Sequence, residues 1–294
     1  MCAVAPRVQL GYADGGGKHM RLWGAVILLG LAACQKQPAA APKPAEISFD
    51  GAHVTDAAAL RAHGERLTHV LGCTGCHGGH LEGEQFEPDL KQYGPIWASN
   101  LTVEVPEYSD AQLDGIIRHG THPERKSVWV MPSEIFQHLS DSDMKALVAY
   151  LRSLKPVGQK TPPPQFSRLD RAEIASGKYK PATQYVIDEK TMLPADLGPN
   201  LAVGRYITEV TCSECHGPTL EGEKSGRPGA PPDLVVAGGY TRDEFEQLIT
   251  RGIPTGNRKI REMMSGVSKY RFSHLTPHER DALYAYLKAR AERP

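Results

Sequence analysis

Cysteine is scarce in this 294-residue chain, with six in all. Four sit in two matching clusters, and the other two, Cys2 and Cys34, lie in the N-terminal region. No pair is left over for a structural disulfide. A charge excess is also missing: 34 Lys and Arg stand against 34 Asp and Glu, so no polyanionic partner such as nucleic acid is implied. Strand-like alternation of apolar and polar residues is nearly absent, which argues against a fold carried by sheet. Long hydrophobic runs are rare too. The one at residues 22–31 is too short to span a bilayer as a stable helix.

What is there begins with Cys73, Cys76 and His77, matched by Cys212, Cys215 and His216. Both are Cys-x-x-Cys-His, the attachment pattern for a c-type haem. Two thiols add across the two vinyl groups of one porphyrin, and the adjacent histidine reaches the iron as an axial ligand. The composition predicts about 0.005 such motifs by chance, and two are present. The competing readings are a redox Cys-x-x-Cys and half of a zinc site. Both need further context, a βαβ pattern or a second ligand pair. Two haem c groups are therefore expected.

The chain also repeats itself. GERLTHVLGCTGCHGGHLEGE surrounds the first motif and GRYITEVTCSECHGPTLEGE the second, with Leu81-Glu82-Gly83-Glu84 matching Leu220-Glu221-Gly222-Glu223. Ser109 with Gln112, and Thr241 with Glu244, form capping-box patterns before apolar helical faces that stop at Gly120 and Gly252. A third helix in each copy starts at Ser140 or Thr276 and buries Leu147, Tyr150 and Leu151 or Leu283, Tyr286 and Leu287. The spacing predicts an all-α protein of two similar units: 51–158, a Pro- and Lys-rich linker at 159–194, and 195–294.

These residues resemble class I cytochrome c, duplicated. The shared pattern is an N-terminal helix, Cys-x-x-Cys-His, a Gly94-Pro95 or Pro232-Asp233-Leu234 turn, a distal methionine, and a capped last helix reading ALVAYLRSL or ALYAYLKAR. The first copy is similar to domains in cytochrome subunits of membrane-bound dehydrogenases, notably at Gly94-Pro95 and Ala98-Ser99-Asn100-Leu101-Thr102. The resemblance implies covalent attachment through Cys73, Cys76, Cys212 and Cys215, with His77 and His216 as proximal iron ligands. It implies a distal methionine on a loop before the last helix. Met131, held extended by Pro132, suits that place, whereas Met144 falls on a packing face. In the second copy Met264 is expected, with Met263 as the alternative. The Pro95 and Pro232 carbonyls are expected to accept from the proximal imidazoles, and Trp97 and Trp129 to line the first haem. The other histidines, including His63, His119 and His122, read as solvated, with His119 and His122 nearest the distal loop.

At the N-terminus, Arg21, the apolar run and Leu31-Ala32-Ala33-Cys34 resemble a bacterial lipoprotein signal. Residues 1–33 are expected to be signal, with Met20 as the expected start. Cys34 is expected to carry lipid, and the Pro/Ala-rich stretch at 34–50 to act as a tether. An ordinary secretory signal is the alternative. The function implied is a periplasm-facing, membrane-anchored dihaem electron carrier with redox-protein partners. The rivals are a dihaem peroxidase, a haem-based sensor, and a cytochrome subunit of a dehydrogenase complex. A basic cluster at Arg258, Lys259, Arg261, Lys269 and Arg271, opposed only by Glu262, suggests docking of an acidic partner.

Overall fold

The computed structural model describes residues 46–86, 89–225, 227, 229–256 and 259–293. The signal, Cys34, most of the tether and Arg258 lie outside them. Residues 45–294 form one compact unit, in which helices dominate and sheet is limited to short pairings. In the first copy, α1 (Ala57–Val70), α2 (Asp110–His119) and α3 (Asp141–Leu151) pack around Leu67, Val70, Leu113, Leu147 and Leu151. In the segment that follows lie α4 (Arg168–Ala175) and α5 (Ala182–Glu189). The second copy has α6 (Ala202–Ile207), α7 (Arg242–Arg251), α8 (Glu262–Tyr270) and α9 (Pro277–Ala291).

The caps form as the sequence implies. Ser109 and Gln112, Thr241 and Glu244, and Thr276 and Glu279 make reciprocal capping boxes, each satisfying two N–H groups that a helix start leaves unpaired. The first and last helices of each copy cross at a glycine. A Cβ on Gly64 would lie 2.0 Å from the Ala146 carbonyl oxygen, and one on Gly204 2.1 Å from that of Ala282. The helices approach so closely only because these side chains are missing.

The repeat is one residue shorter between this glycine and the motif in the second copy, and the backbone absorbs the difference. In the first copy α1 ends and Gly72, in the left-handed region at φ 82°, turns the chain into Cys73–Cys76. In the second copy α6 runs on through a π-helical turn, Thr208–Cys212, straight into Ser213–His216. Such wide turns accommodate a register change inside a helix.

Residues 159–194 do more than link. Gln165 N donates to Pro95 O at 3.1 Å, Ala182 N to Val128 O at 3.0 Å, and Gly94 N to the Asp170 carboxylate at 2.8 Å. Phe166 and Tyr179 pack on Trp129 with ring centroids 4.9 and 5.0 Å away. The segment is laid along the first copy as an outer wall.

The two copies meet through buried polar groups. Asp143 is fully buried and accepts from Phe49 N, from His63 Nε2 at 2.9 Å, from Ser140 Oγ and from Tyr206 O–H of the second copy at 2.8 Å. Glu279, also fully buried, accepts both guanidinium arms of Arg66 at 2.7 and 2.9 Å. His69 stacks on His274 at 4.3 Å. His63 was expected in solvent. It is buried instead because Asp143 supplies its partner.

Candidate haem sites

In the first copy, Cys73, Cys76, His77, Trp97, Trp129 and Met131 line one cavity of about 540 Å³. Apolar side chains such as Leu113, Phe136 and Leu147 complete the walls. The size and lining suit a large, mostly apolar cofactor with a few convergent polar groups. His77 Nδ1 lies 2.7 Å from Ser99 O. A carbonyl only accepts, so Nδ1 carries the proton and Nε2 keeps a free lone pair for iron. Burial holds the His77 and His216 imidazoles below the usual histidine pKa, and a neutral ring is the form that ligates. Burial pushes the Cys73 and Cys212 thiols up to about 12 and about 11. These are not thiolates of a redox centre.

The acceptor for His77 is Ser99, not Pro95. Ile96–Trp97 pairs antiparallel with Gln85–Phe86, and Pro95 O is taken by Gln165 N. The chain therefore reaches the imidazole four residues later. In the second copy, His216 Nδ1 donates to Pro232 O at 2.8 Å.

The Leu-Glu-Gly-Glu repeat has a backbone reason. Leu81 and Leu220 stand in the left-handed region at φ 60° and 63° with fully buried side chains. The Gly83 and Gly222 N–H groups then cap the carbonyls of His77 and His216, each at 2.8 Å. A branched side chain with positive φ is a costly conformation held by its surroundings. Here it folds the chain back onto the histidine of each motif.

Met131 follows Val130, whose φ of 69° is a strained conformation for a β-branched residue. Both line the cavity. Met144 is buried in the core at 4% exposure and is not among the cavity residues. In the second copy, Met263 is 66% exposed on α8, whereas Met264 packs against the core.

The cavity also holds residues the sequence reading did not single out. Pro163, Pro164 and Phe166 close it from the outer segment, and Glu134 and Glu214 reach into it. Phe166 and Tyr179, two of the three aromatics in that Pro- and Lys-rich stretch, were the available signal. Burial raises the Glu134 carboxyl to about 7. His122, expected in solvent, is 5% exposed and faces Tyr108 O–H at 3.2 Å and Arg125 Nη2 at 2.7 Å. The cavity wall buries it and those groups satisfy it.

The basic cluster does not stay together. Lys259 and Lys269 are exposed. Arg261 donates to Gly229 O. Arg271 turns inward, with its side chain 13% exposed, and bonds to Val70 O, Leu71 O and Glu214. It is not part of an outer docking rim, because those three acceptors draw it into the contact between the copies.

Among the described residues no group of three or more His, Cys, Asp or Glu could hold a metal ion, which leaves the zinc reading of either motif without further ligands. Two sites that each join a cysteine pair to a neutral, oriented imidazole define a protein of the c-type cytochrome class. The cytochrome c family model matches residues 62–155 and again 201–291, and the chain belongs to that family. It is 24% identical over 257 residues to a "Diheme cytochrome c-type" protein of Cereibacter sphaeroides, covering 77% of this chain and 84% of that one. It is 27% identical over 271 residues to the gluconate 2-dehydrogenase cytochrome c subunit of Pantoea cypripedii, covering 79% and 59%. It is 26% identical over 216 residues to the cytochrome c subunit of the quinone alcohol dehydrogenase of Gluconobacter oxydans, covering 68% and 44%. The chain thus spans about half the length of the two dehydrogenase subunits. It carries two covalently bound haem c groups and functions in electron transfer.

Proposed function

We propose that this protein is a dihaem relay that passes single electrons from a dehydrogenase or respiratory donor to a downstream acceptor and transforms no substrate itself. The observation that carries the reading is the adjacency of the two sites: Glu214, inside the second attachment motif, lines the cavity of the first. The haems supply one-electron chemistry between Fe(II) and Fe(III). The residues of the chain would hold the cofactors and supply ligands to each iron. His77 and Met131 serve the first site, His216 and Met264 the second. A histidine and a methionine on each iron would leave no open position for oxygen or peroxide, which favours the relay over the peroxidase and sensor readings. The names of the dehydrogenase subunits among its relatives support a dehydrogenase as donor.

The compartment reading rests on residues 20–34, with Cys34 as the lipidated residue of a periplasm-facing protein. Among the described residues no helix is long and apolar enough to cross a membrane. The working domain limits are 51–158 and 195–294, with 159–194 as the outer wall of the first. The docking residues for an acidic partner are Arg258, Lys259, Arg261 and Lys269.

The test is an optical spectrum of the oxidised, purified protein. The reading expects a methionine-to-iron charge-transfer band with the intensity of two haems. A high-spin signature at either haem would favour the peroxidase. For the anchor, Cys34→Ala should move the protein from the membrane fraction to the soluble periplasmic fraction, and a wild-type protein that is soluble without detergent would sink it.

A further inference from the structure

We propose that Arg271 is the coupling residue between the two haem sites: one guanidinium, shared by both attachment loops, sets the two potentials together and fixes the spacing of the loops. The inference deepens the relay reading and rests on it.

Arg271 belongs to the second copy, just after α8. Its Nε donates to Val70 O at 3.2 Å and its Nη2 to Leu71 O at 3.1 Å. These are terminal carbonyls of α1, the helix that leads into Cys73. A cation there also meets the negative end of the helix. Its Nη1 pairs with Glu214 at 2.7 Å, and Glu214 stands between Cys212 and Cys215. One side chain therefore holds the entry to the first motif and the middle of the second. Gly72, immediately before Cys73, makes room for it: a Cβ there would lie 2.7 Å from the Arg271 Cζ. The guanidinium is shielded from water, with a side-chain exposure of 13%, whereas Glu214 at 30% stands nearer the surface, so salt screens the carboxylate more than the cation.

The electrostatic consequence is direct. An iron site gains one positive charge when it gives up an electron. A nearby cation opposes that loss and raises the potential, and a nearby anion lowers it. Arg271 and Glu214 form a nearly neutral pair between the sites. Removing one partner exposes the charge of the other to both haems, with opposite sign in the two cases. A merely structural role would not produce that sign reversal.

The experiment is a spectroelectrochemical titration of the full-length dihaem protein, with haem content checked at two per chain. Arg271→Leu should lower both midpoint potentials, Glu214→Gln should raise both, and Arg271→Lys, which keeps the charge, should stay near the wild type. Shifts of the same sign in Arg271→Leu and Glu214→Gln would overturn the proposal. So would a shift confined to one haem, or a Lys variant displaced as far as Leu. If Arg271→Leu fails to accumulate, the Glu214→Gln and Arg271→Lys pair still decides. Electron delivery from a chemical reductant to an added acceptor protein, measured on the same samples, separates the two readings. A wild type that cannot deliver electrons sinks the relay. Delivery with potentials unmoved in the variants sinks only the coupling.

Discussion

The two copies use the same helix crossing, the same reciprocal cap on the middle helix and the same left-handed leucine, yet they enclose their cofactors differently. The first places Met131 on a strained loop and borrows the 159–194 segment as an outer wall. The second carries its methionine pair on a regular helix, α8, and meets its attachment motif through a π-helical turn. What the repeat preserves is the backbone that presents the histidine of each motif. What it leaves free is the placement of the methionines, on a loop in the first copy and on a helix in the second.

The sharpest way to break the comparison is to part the copies. Arg66→Ala takes the paired cation from the buried Glu279 carboxylate, leaving it the Thr276 and Asp50 N–H groups, and should cost about 3 kcal/mol, read by denaturant unfolding of the holoprotein. A loss near zero would mean that the contact between the copies contributes little. Gly64→Ala and Gly204→Ala test the shared crossing. Each forces a methyl group into a backbone carbonyl and should cost about 1–3 kcal/mol. Very unequal losses would show that the two crossings are not equivalent.

The distal side is tested by its ligands. Met131→His should keep a low-spin haem but lower one potential, and Met264→Leu should produce a partly high-spin haem in the other copy. Met144→Leu and Met263→Leu should leave the spectrum unchanged. The smallest effect concerns Glu134. Its folded pKa lies above the ordinary carboxylate value, so the folded state binds its proton more tightly than the unfolded chain. That stabilising contribution is present below about pH 4.5 and is lost as pH rises toward about 7. Glu134→Gln should flatten that decline, and should also remove any fall of the first-haem potential over the same range. An unchanged pH profile would mean that Glu134 does not titrate there.

Covalent chemistry made much of the site legible in advance. The Cys-x-x-Cys-His spacing is dictated by the porphyrin, and the capping boxes by unpaired helix N–H groups, so both can be read along the chain. The rest depended on where the chain returns. Ser99 displaced Pro95 because a two-residue strand pair, too short to show as alternation, shifted the turn. Arg271 looked like surface charge because counting along the sequence does not reveal three acceptors waiting on α1 and in the second motif. Residues 159–194 read as linker because proline and lysine dominate them, although Phe166 and Tyr179 do the packing. The phase of α8 turns Met264 toward the core and leaves Met263 exposed, a difference that two adjacent methionines do not show along the chain.

The outer wall also comes late along the chain. A chain delivered from its N-terminus displays Cys73, Cys76 and His77 about 90 residues before Phe166 follows. The first pocket then stands open on the side where Pro163, Pro164 and Phe166 later close it. That side of the cavity is thus closed by chain that emerges about 90 residues after the residues it covers.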